Sequence, residues 1–185
     1  REGMNLRLMH METAANVDEA VQLAAGAGMP AQNLLVADAG GRIAWTVIGA
    51  IPKRVGNDDI DRPQDWSDGR AHWQGYLGAA DQPRIVDPAD GRLWTANSRM
   101  VGGAALKLIG NGGYDLGARA QQIRDDLRAQ EQFDEAGLHA VQLDHRAVFH
   151  QHWRQLLLEK VLTPDFVAAN GLADYRAEVE KSADA

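Results

Sequence analysis

Three adjacent polar side chains follow directly on a strand-like run near the middle of the sequence. They are Asn97, Ser98 and Arg99. The preceding residues 92–96, RLWTA, favour a pleated surface, so they predict a strand that ends at the polar group. Its side chains are hydrogen-bond donors of the kind that line reactive sites. An Asn at a strand end also commonly forms a turn by bonding its own backbone, and the local sequence leaves both interpretations open.

The serines of the sequence show no recognisable nucleophile motif. They are Ser67, Ser98 and Ser182. None lies in a Gly-x-Ser-x-Gly elbow, and no motif places a histidine beside Ser98, as a Ser-His arrangement requires. We therefore assign no catalytic nucleophile to these side chains.

A histidine-rich run, LDHRAVFHQHW at residues 143–153, has the composition of a metal site but not its spacing. On one helix His145 and His152 share a face while His150 points elsewhere, and no His-x-x-x-His pair has a Glu beside it. The aspartates within residues 58–61 lack the central glycine and closing glutamate of a calcium loop. We expect solvated or packed side chains in both places and assign no metal ligand.

Composition limits the classes of protein to which the chain can belong. Its 185 residues, 45% of them hydrophobic, suit one ordinary domain or part of one. The 19 basic residues against 26 acidic ones argue against nucleic acid as a partner. The absence of cysteine excludes disulfides and thiolate metal sites. The most apolar region, residues 21–37, is interrupted by Gln, Gly, Pro and Asn, which argues against a membrane span.

The first hundred residues predict a helix followed by antiparallel strands. Residues 13–30 are typical of a helix capped by Thr13 or Asn16. Residues 34–37 and 43–48 predict a hairpin, and residues 84–86 with 92–96 predict a second strand pair. The intervening residues 53–82 indicate an ordered loop. Its aromatic residues could pin the loop to a surface or line a sugar platform or an acyl pocket; they are Trp66, Trp73 and Tyr76.

The remaining sequence predicts mainly helices, at residues 115–129, 134–143 and 145–162, with a polar tail from Pro164. Strands in one part and helices in another are typical of an α+β fold with helices stacked on an antiparallel sheet. We expect residues 1–32 to form a lead-in and helix, residues 33–100 the strands and ordered loop, and residues 114–182 a mainly helical part.

Several short motifs, in order along the chain, resemble the large-subunit core of the penicillin acylase family. They include QNLLVADAGGRIAWTVIGAIPKR, VDPADGRLWTAN, LGARAQQI and VQLD, and they extend from about residue 33 to residue 144. The family comprises N-terminal-nucleophile amide hydrolases, including acyl-homoserine-lactone acylases. The matched positions are Asn33, Ala37, Asp38, Gly41, Ile43, Gly49, Pro52, Arg54, Trp73, Gly75, Pro88, Gly91, Ala96, Asn97, Arg119, Ile123, Gln142 and Asp144.

The resemblance implies a fold and two catalytic residues. Family members form a four-layer αββα sandwich, and a precursor cleaves itself to expose an N-terminal Ser nucleophile whose own α-amino group is the base. By resemblance, Asn97 donates its side-chain amide to the oxyanion, and Arg119, 22 residues later, supports the site. Asp115 lies four residues before Arg119, so an ordinary i,i+4 surface pair is the alternative for that arginine. For Gln142 and Asp144 we expect structural hydrogen bonds between helix and sheet.

The chain also departs from the family pattern. It opens with Arg1, which cannot be the nucleophile, so we expect a processed or excised fragment of the large subunit that is inactive alone. We expect it to need the remaining segments of its precursor, namely the small subunit and the nucleophile-bearing N-terminus. Relatives often hold calcium through carboxylates from both subunits, but residues 107–109, where one would be expected, contain none. No cofactor is therefore predicted, although calcium in the complete enzyme stays possible.

Two functions are consistent with the sequence. The first is part of an amide hydrolase for small molecules with an apolar acyl group, such as β-lactam side chains or fatty-acyl homoserine lactones. The second is a non-catalytic binding or assembly module that uses the same sheet-and-helix surface. The resemblance also implies a periplasmic or secreted protein. The substrate-binding residues are expected to lie mostly outside this chain.

Overall fold

A computed structural model describes residues 4–56 and 62–182, so the aspartates Asp58, Asp59 and Asp61 lie outside the described residues. The chain divides into two compact units, residues 1–120 and 121–185. After a 3₁₀-helix at Arg7–Thr13, the first unit contains α1 (Val17–Ala24), β1 (Gln32–Ala37), β2 (Ile43–Ile48), β3 (Pro52–Val55), β4 (His72–Tyr76), β5 (Arg84–Val86), α2 (Gly103–Ile109) and the start of α3 (Ala118–Arg128).

The predicted hairpin is confirmed and forms the centre of the first unit. Strands β1 and β2 pair antiparallel with Ala37 opposite Ile43, and β2 pairs antiparallel with β5 to give the order β1-β2-β5. The turn is held by Asp38, whose carboxylate accepts hydrogen bonds from the backbone N–H groups of Gly40 and Arg42. The side chain of Asp38, with Gly40 and Gly41 in the turn after Ala39, therefore fixes the register of the hairpin locally.

Helix α1 packs on one face of this sheet. Of the two predicted caps, Asn16 is the one used: its side chain accepts from the N–H of Glu19, and the Glu19 carboxylate accepts from Ala15 N–H in return. The helix is shorter than residues 13–30, since it ends at Ala24. A side chain at Gly28 would meet the backbone nitrogen of Asn5 at 1.9 Å, so the chain approaches its own N-terminal segment there.

Strand β2 has core on both of its faces, as the alternation of side chains along a strand requires. Ala44 and Ile48 face α1 and pack with its buried residues. Trp45 and Val47 face the opposite side and pack with Ile51 and Leu77, in a group that we term the Trp45 cluster. Trp45 is only 1% exposed, so the cluster is a true interior. Leu93, Met100, Val101 and Ile109 add partly buried contacts to it.

The second predicted strand pair is wrong in one member. Strand β5 forms, but residues 92–96 form no strand, and β5 uses β2 as its partner. After β5 the backbone of Asp87 has a φ of 45°, while its carboxylate accepts from Ile43 N–H and from the Arg42 guanidinium. The contacts hold Asp87 at the end of β2, and its left-handed backbone turns the chain out of the sheet. The segment is then held by the side chain of Leu93 in the Trp45 cluster instead of by ladder hydrogen bonds.

The predicted loop at residues 53–82 is ordered but contains strand. Strands β3 and β4 form a two-stranded antiparallel sheet in which Arg54 lies opposite Trp73. Composition obscured this pair because aspartate, glycine and proline dominate the residues between the strands, while the pairing itself is non-local. Trp66 and Trp73 meet edge-to-face with ring centroids 6.3 Å apart, which fits the prediction that aromatic residues order this region.

The second unit is helical, and the polar tail predicted from Pro164 also forms two helices. Besides the remainder of α3 it contains α4 (Glu135–Gln142), α5 (Val148–Leu156), α6 (Pro164–Asn170) and α7 (Ala173–Lys181), with a π-helical turn at Leu157–Val161 after α5. The predicted start of α4 is confirmed, because the Asp134 side chain accepts from Gly137 N–H. Antiparallel sheet with packed helices confirms the α+β class. Helix α2 was not predicted, since its seven residues lie between glycines without a capping side chain.

Candidate active site around Asn97

Asn97 lies on a segment that is attached to the core on both sides. Leu93 precedes it and Met100 and Val101 follow it, and all three pack against the Trp45 cluster. Between these anchors Asn97 is exposed while the neighbouring Ser98 is buried at 7% exposure. Packing of side chains therefore does the positioning that we had predicted for a strand.

The backbone of Asn97 has a φ of 56°, in the left-handed region. Few residues other than glycine occupy this region, and Asn is among those that tolerate it best. The conformation forms a turn, so that part of the alternative interpretation is correct. The side chain, however, does not bond its own backbone: its oxygen Oδ1 accepts a hydrogen bond from Nη2 of Arg119 at 2.9 Å.

The two predicted catalytic residues are thus in direct contact. Nη2 of Arg119 also lies 3.3 Å from the carbonyl oxygen of Ala96 and 2.6 Å from Oδ2 of Asp115. In addition, the N–H of Asp115 donates to the carbonyl oxygen of Asn97 at 3.1 Å. Arg119 therefore forms both the i,i+4 pair with Asp115 and the contact with Asn97, and the two interpretations of this arginine do not exclude each other.

These contacts leave one end of the Asn97 amide available. Oδ1 is an acceptor and is taken by a guanidinium, so the opposite end of the amide is the donor Nδ2. Within residues 4–56 and 62–182, Nδ2 makes no hydrogen bond to another side chain or to backbone. The arrangement is therefore suited to donating hydrogen bonds from Nδ2 to an acceptor that is not part of this chain.

The loop between α2 and α3 brings Asp115 and Arg119 to Asn97. Helix α2 ends at Gly110, whose φ of 87° turns the backbone, and the Tyr114 hydroxyl donates to the Gly110 carbonyl at 3.1 Å. Burial raises the pKa of Tyr114 further above its ordinary value, so the phenol is a neutral donor. This hydrogen bond within the loop fixes the backbone just before Asp115, and so the position of Asp115.

The helix end near this loop does not suit a calcium ion. Residues 107–109 carry no carboxylate, and the carbonyl oxygens of Leu108 and Ile109 accept hydrogen bonds from the Arg54 guanidinium at 3.2 and 3.3 Å. A positively charged side chain already satisfies the oxygens that a metal would use there. These residues do not fit the calcium that the resemblance implies, and we assign none to them.

The other candidate groups are not brought together into a site. His150 and His152 meet the rings of Phe149 and Trp153 edge-on, and His145 bonds the Leu143 carbonyl. In the described part of the chain, no three side chains of His, Asp or Glu are grouped closely enough to hold a metal ion. No helix of residues 4–56 and 62–182 has the length and apolar character needed to cross a bilayer.

The three serines also have structural surroundings. Ser67 N–H is bonded to Asp65, the Ser182 hydroxyl donates to the carbonyl oxygen of Val179, and Ser98 is buried. Among the described residues, Ser98 has no hydrogen bond to a histidine. This environment does not activate any of the three hydroxyl groups for attack on a carbonyl carbon.

Asp144 belongs to a separate network in the second unit. It accepts from Gln122 of α3 and from Arg146, and Arg146 also pairs with Asp126. The Arg146 guanidinium lowers the pKa of Asp144, whereas burial and the neighbouring Asp144 raise the pKa of Asp126. For Asp144 our prediction of a bond between helix and sheet is therefore wrong, since its partners are a helix and the adjacent turn. The network holds α3 to the residues after α4.

Comparison with known proteins places the chain in a family. The family model described as penicillin amidase matches residues 4–185. The chain belongs to the penicillin amidase family. The chain is 31% identical over 94 residues to penicillin acylase 2 proenzyme of Pseudomonas sp. (strain SE83), a match that covers 51% of the chain and 12% of that relative. It is 29% identical over 140 residues to acyl-homoserine lactone acylase QuiP of Pseudomonas fluorescens, which covers 75% of the chain and 17% of the relative.

A solved member of the penicillin amidase family supports the fold. The structure of thermostable penicillin G acylase from Alcaligenes faecalis matches with a TM-score of 0.65 at 18% identity, over 88% of this chain and 30% of that one. At this identity the likeness is one of fold. The chain therefore spans less than a third of each of these three family members, and the four-layer arrangement of the complete protein stays a prediction.

Several family positions that we matched in the sequence have architectural contacts. Asn33 binds the Trp45 indole, Asp38 holds the hairpin turn, and Arg54 covers the end of α2. Asn97 and Arg119 differ from these because their contact leaves a donor available. Sequence reasoning missed Asp115 as the residue that joins the two. Its i,i+4 spacing to Arg119 was the available signal, but the spacing did not reveal its backbone bond to Asn97.

Proposed function

We propose that this chain is part of an amide hydrolase of the penicillin acylase type, and that Asn97 supplies an oxyanion donor. The observation that carries the proposal is the orientation of the Asn97 amide. Arg119 takes its oxygen at 2.9 Å, and Nδ2 has no partner among the described residues. A pre-oriented N–H donor is what acyl transfer requires, because negative charge develops on the carbonyl oxygen as the nucleophile attacks.

The roles of the two residues follow from their chemistry. Nδ2 of Asn97 donates to the oxygen of the tetrahedral intermediate, while the Arg119 guanidinium, bonded to the other end of the same amide, withdraws electron density from it. A charge-assisted hydrogen bond at Oδ1 makes the N–H at Nδ2 a better donor. Arg119 thus acts on the reaction through Asn97, and the donor needs no reorganisation at the moment of attack.

The nucleophile in this proposal is an N-terminal Ser outside these 185 residues, with its own α-amino group as base. Two observations support this placement. The three serines of the chain have structural surroundings, and the chain spans only 12% and 17% of the two acylase relatives. The residues in hand are accordingly proposed to be inactive alone and to work with the other segments of a precursor.

The proposed substrate is the amide of a small molecule with an apolar acyl group. The names of the relatives support this class, since penicillin acylase and acyl-homoserine lactone acylase both imply removal of an acyl group from an amide nitrogen. The proposal includes export of the complete enzyme to the periplasm, which fractionation of cells that express the full precursor would test.

The test is an Asn97→Ala substitution in the complete, processed enzyme. We expect turnover of an N-phenylacetyl or N-octanoyl 4-nitroanilide to fall by about 10²–10³ with the folded protein retained, as for loss of one oxyanion donor. Asn170→Ala is the matched control, because Asn170 is an exposed Asn at the end of α6 whose amide bonds only its own helix. Near-normal turnover in Asn97→Ala would remove Asn97 from the site. Absence of activity in the correctly assembled wild-type enzyme, toward any acyl amide, would favour the binding or assembly module instead.

A further inference from the structure

Asp115 closes a ring of three hydrogen bonds with the two proposed active-site residues. Its backbone N–H donates to the Asn97 carbonyl oxygen at 3.1 Å, and its carboxylate accepts from Nη2 of Arg119 at 2.6 Å. The same Nη2 completes the ring by donating to Oδ1 of Asn97 at 2.9 Å. We propose that Asp115 is a positioning residue, which holds the Arg119 guanidinium so that the Asn97 amide presents Nδ2 to the reaction centre. This inference rests on the proposed function of Asn97.

The first step of the argument concerns competition at one nitrogen. Nη2 of Arg119 carries two hydrogens, yet three acceptors surround it: Ala96 O at 3.3 Å, Asn97 Oδ1 at 2.9 Å and Asp115 Oδ2 at 2.6 Å. The carboxylate is the closest of the three and the only charged one, so it makes the strongest bond. Asp115 consequently fixes the position of the Arg119 guanidinium, and in that position the guanidinium donates to Asn97.

The second step concerns the freedom of the arginine. The Arg119 side chain is 61% exposed, so packing alone does not hold it in one rotamer. A long side chain in this position loses conformational entropy when it is fixed, and without a charged partner it would leave Asn97 for much of the time. The carboxylate of Asp115 offsets that entropy.

The third step concerns the two ends of the Asn97 amide. The carbonyl and amino ends have nearly the same shape, so an amide without a selective partner can turn about its last torsion and exchange them. A turned amide would present Oδ1, an acceptor, to the developing oxyanion and would oppose the reaction. A cationic donor fixed at Oδ1 permits only the productive orientation.

The carboxylate can be separated from the rest of the ring by substitution. The bond from Asp115 N–H to the Asn97 carbonyl uses backbone atoms, so Asp115→Asn retains it and removes only the charge. The side chains of Asp115 and Arg119 are 57% and 61% exposed, and exposed ion pairs contribute little to folding. A merely structural surface pair therefore predicts no change in turnover, whereas a positioning role predicts a loss.

The experiment measures kcat and KM for the complete enzyme with N-phenylacetyl and N-octanoyl 4-nitroanilide. We expect Asp115→Asn to lower kcat by about ten- to a hundredfold, the scale for a misplaced catalytic group, with KM nearly unchanged. Asp115→Glu should recover part of the loss because it restores the charge. Glu180→Gln is the matched control, since the half-exposed Glu180 forms an i,i+4 pair with Arg176 outside the proposed site and should leave both constants as they are.

A double-mutant comparison separates this inference from the function on which it rests. If Asp115 acts through Asn97, adding Asp115→Asn to Asn97→Ala causes no further loss of kcat. Normal turnover in Asp115→Asn while Asn97→Ala is crippled would overturn the role of Asp115 alone. Normal turnover in Asn97→Ala would overturn the proposed function itself. Full additivity of the two losses would also refute a positioning role. Should Asp115→Asn not yield folded enzyme, the same comparison with Asp115→Ser decides between these outcomes.

Discussion

The indole nitrogen of Trp45 donates a hydrogen bond to the side-chain oxygen of Asn33 at 2.8 Å, across the hairpin of β1 and β2. Asn33 lies opposite Val47 in the strand register, so it reaches Trp45 diagonally on the same face of the sheet. Trp45 is 1% exposed and is the largest buried side chain of the first unit. An exposed Asn on an edge strand thus satisfies the one polar atom of a core tryptophan.

We expect Asn33→Leu to destabilise the protein by about 1–3 kcal/mol, because the buried indole N–H would lose its acceptor. The measurement is the free energy of unfolding from urea titration, followed through Trp fluorescence. Asn33→Asp retains an oxygen at the same place and serves as the control that should stay closer to wild type. Equal stability of Asn33→Leu and wild type would show that the indole finds another partner.

Gly49→Ala should be among the most damaging glycine substitutions in the chain. Gly49 has a φ of 107°, and an added Cβ would lie 2.7 Å from the carbonyl oxygen of Met29. Both the backbone conformation and the overlap oppose a side chain, so we expect a loss of more than about 2 kcal/mol. Gly91→Ala is the matched control, because Gly91 has a φ of 62° but nothing within 4 Å of its added Cβ. A similar loss in both variants would show that only the backbone conformation matters.

Stability should decline as the pH falls below about 4, with Asp38 as one cause. Backbone N–H groups of Val17 and Arg42 lower the pKa of Asp38 below its ordinary value of 3.8. A carboxyl with a lowered folded-state pKa contributes stability that is present above the unfolded value and is lost as the pH falls through the folded value. Asp38→Asn should therefore be less stable than wild type at pH 7 and should show a weaker dependence on acid.

The measurement for Asp38 is the thermal midpoint between pH 7 and pH 3. Asp65 is a suitable control because hydrogen bonds within its own turn, from Ser67, also lower its pKa, yet it connects no separate elements. Asp65→Asn should change the midpoint much less than Asp38→Asn. An Asp38→Asn curve parallel to that of wild type across this range would contradict the assignment.

The parts of the fold that the sequence predicted correctly depend on local signals. At the helix for which Asn16 was one of two predicted caps, at the helix predicted from residue 134 and at the turn of the predicted hairpin, a side chain bonds a backbone group within a few residues. Such contacts join residues that are close in sequence, so short sequence motifs can indicate them. The hairpin was predicted correctly because its two strands and its turn are contiguous in the sequence.

The errors arose where the partner is distant in sequence. Residues 92–96 have strand composition, but the left-handed backbone of Asp87 turns the chain after β5, while Asp87 itself stays bonded to Ile43, 44 residues before it. Strands β3 and β4 pair across a long polar connection that composition marks as loop. In both cases the deciding contact is non-local, and no local propensity reports it.

Asn97 and Arg119 were identified through the family resemblance, and the residues themselves could not distinguish a site from a turn. The geometry adds the contact between them and the third member, Asp115. The spacing of Asp115 and Arg119 was visible, but a surface pair and a site contact have the same spacing. Only the position of Asn97 beside that pair separates the two.

The left-handed backbone of Asn97 also limits which residue types can replace it. Glycine adopts the conformation readily but supplies no amide, and glutamine supplies an amide on a longer stem with a poorer fit to the conformation. Aspartate tolerates this backbone conformation, but in the proposed role its carboxylate would face the negatively charged oxyanion. For the proposed oxyanion donor, few substitutions at this position would therefore be neutral, and we expect a selection for activity from a library randomised there to return asparagine.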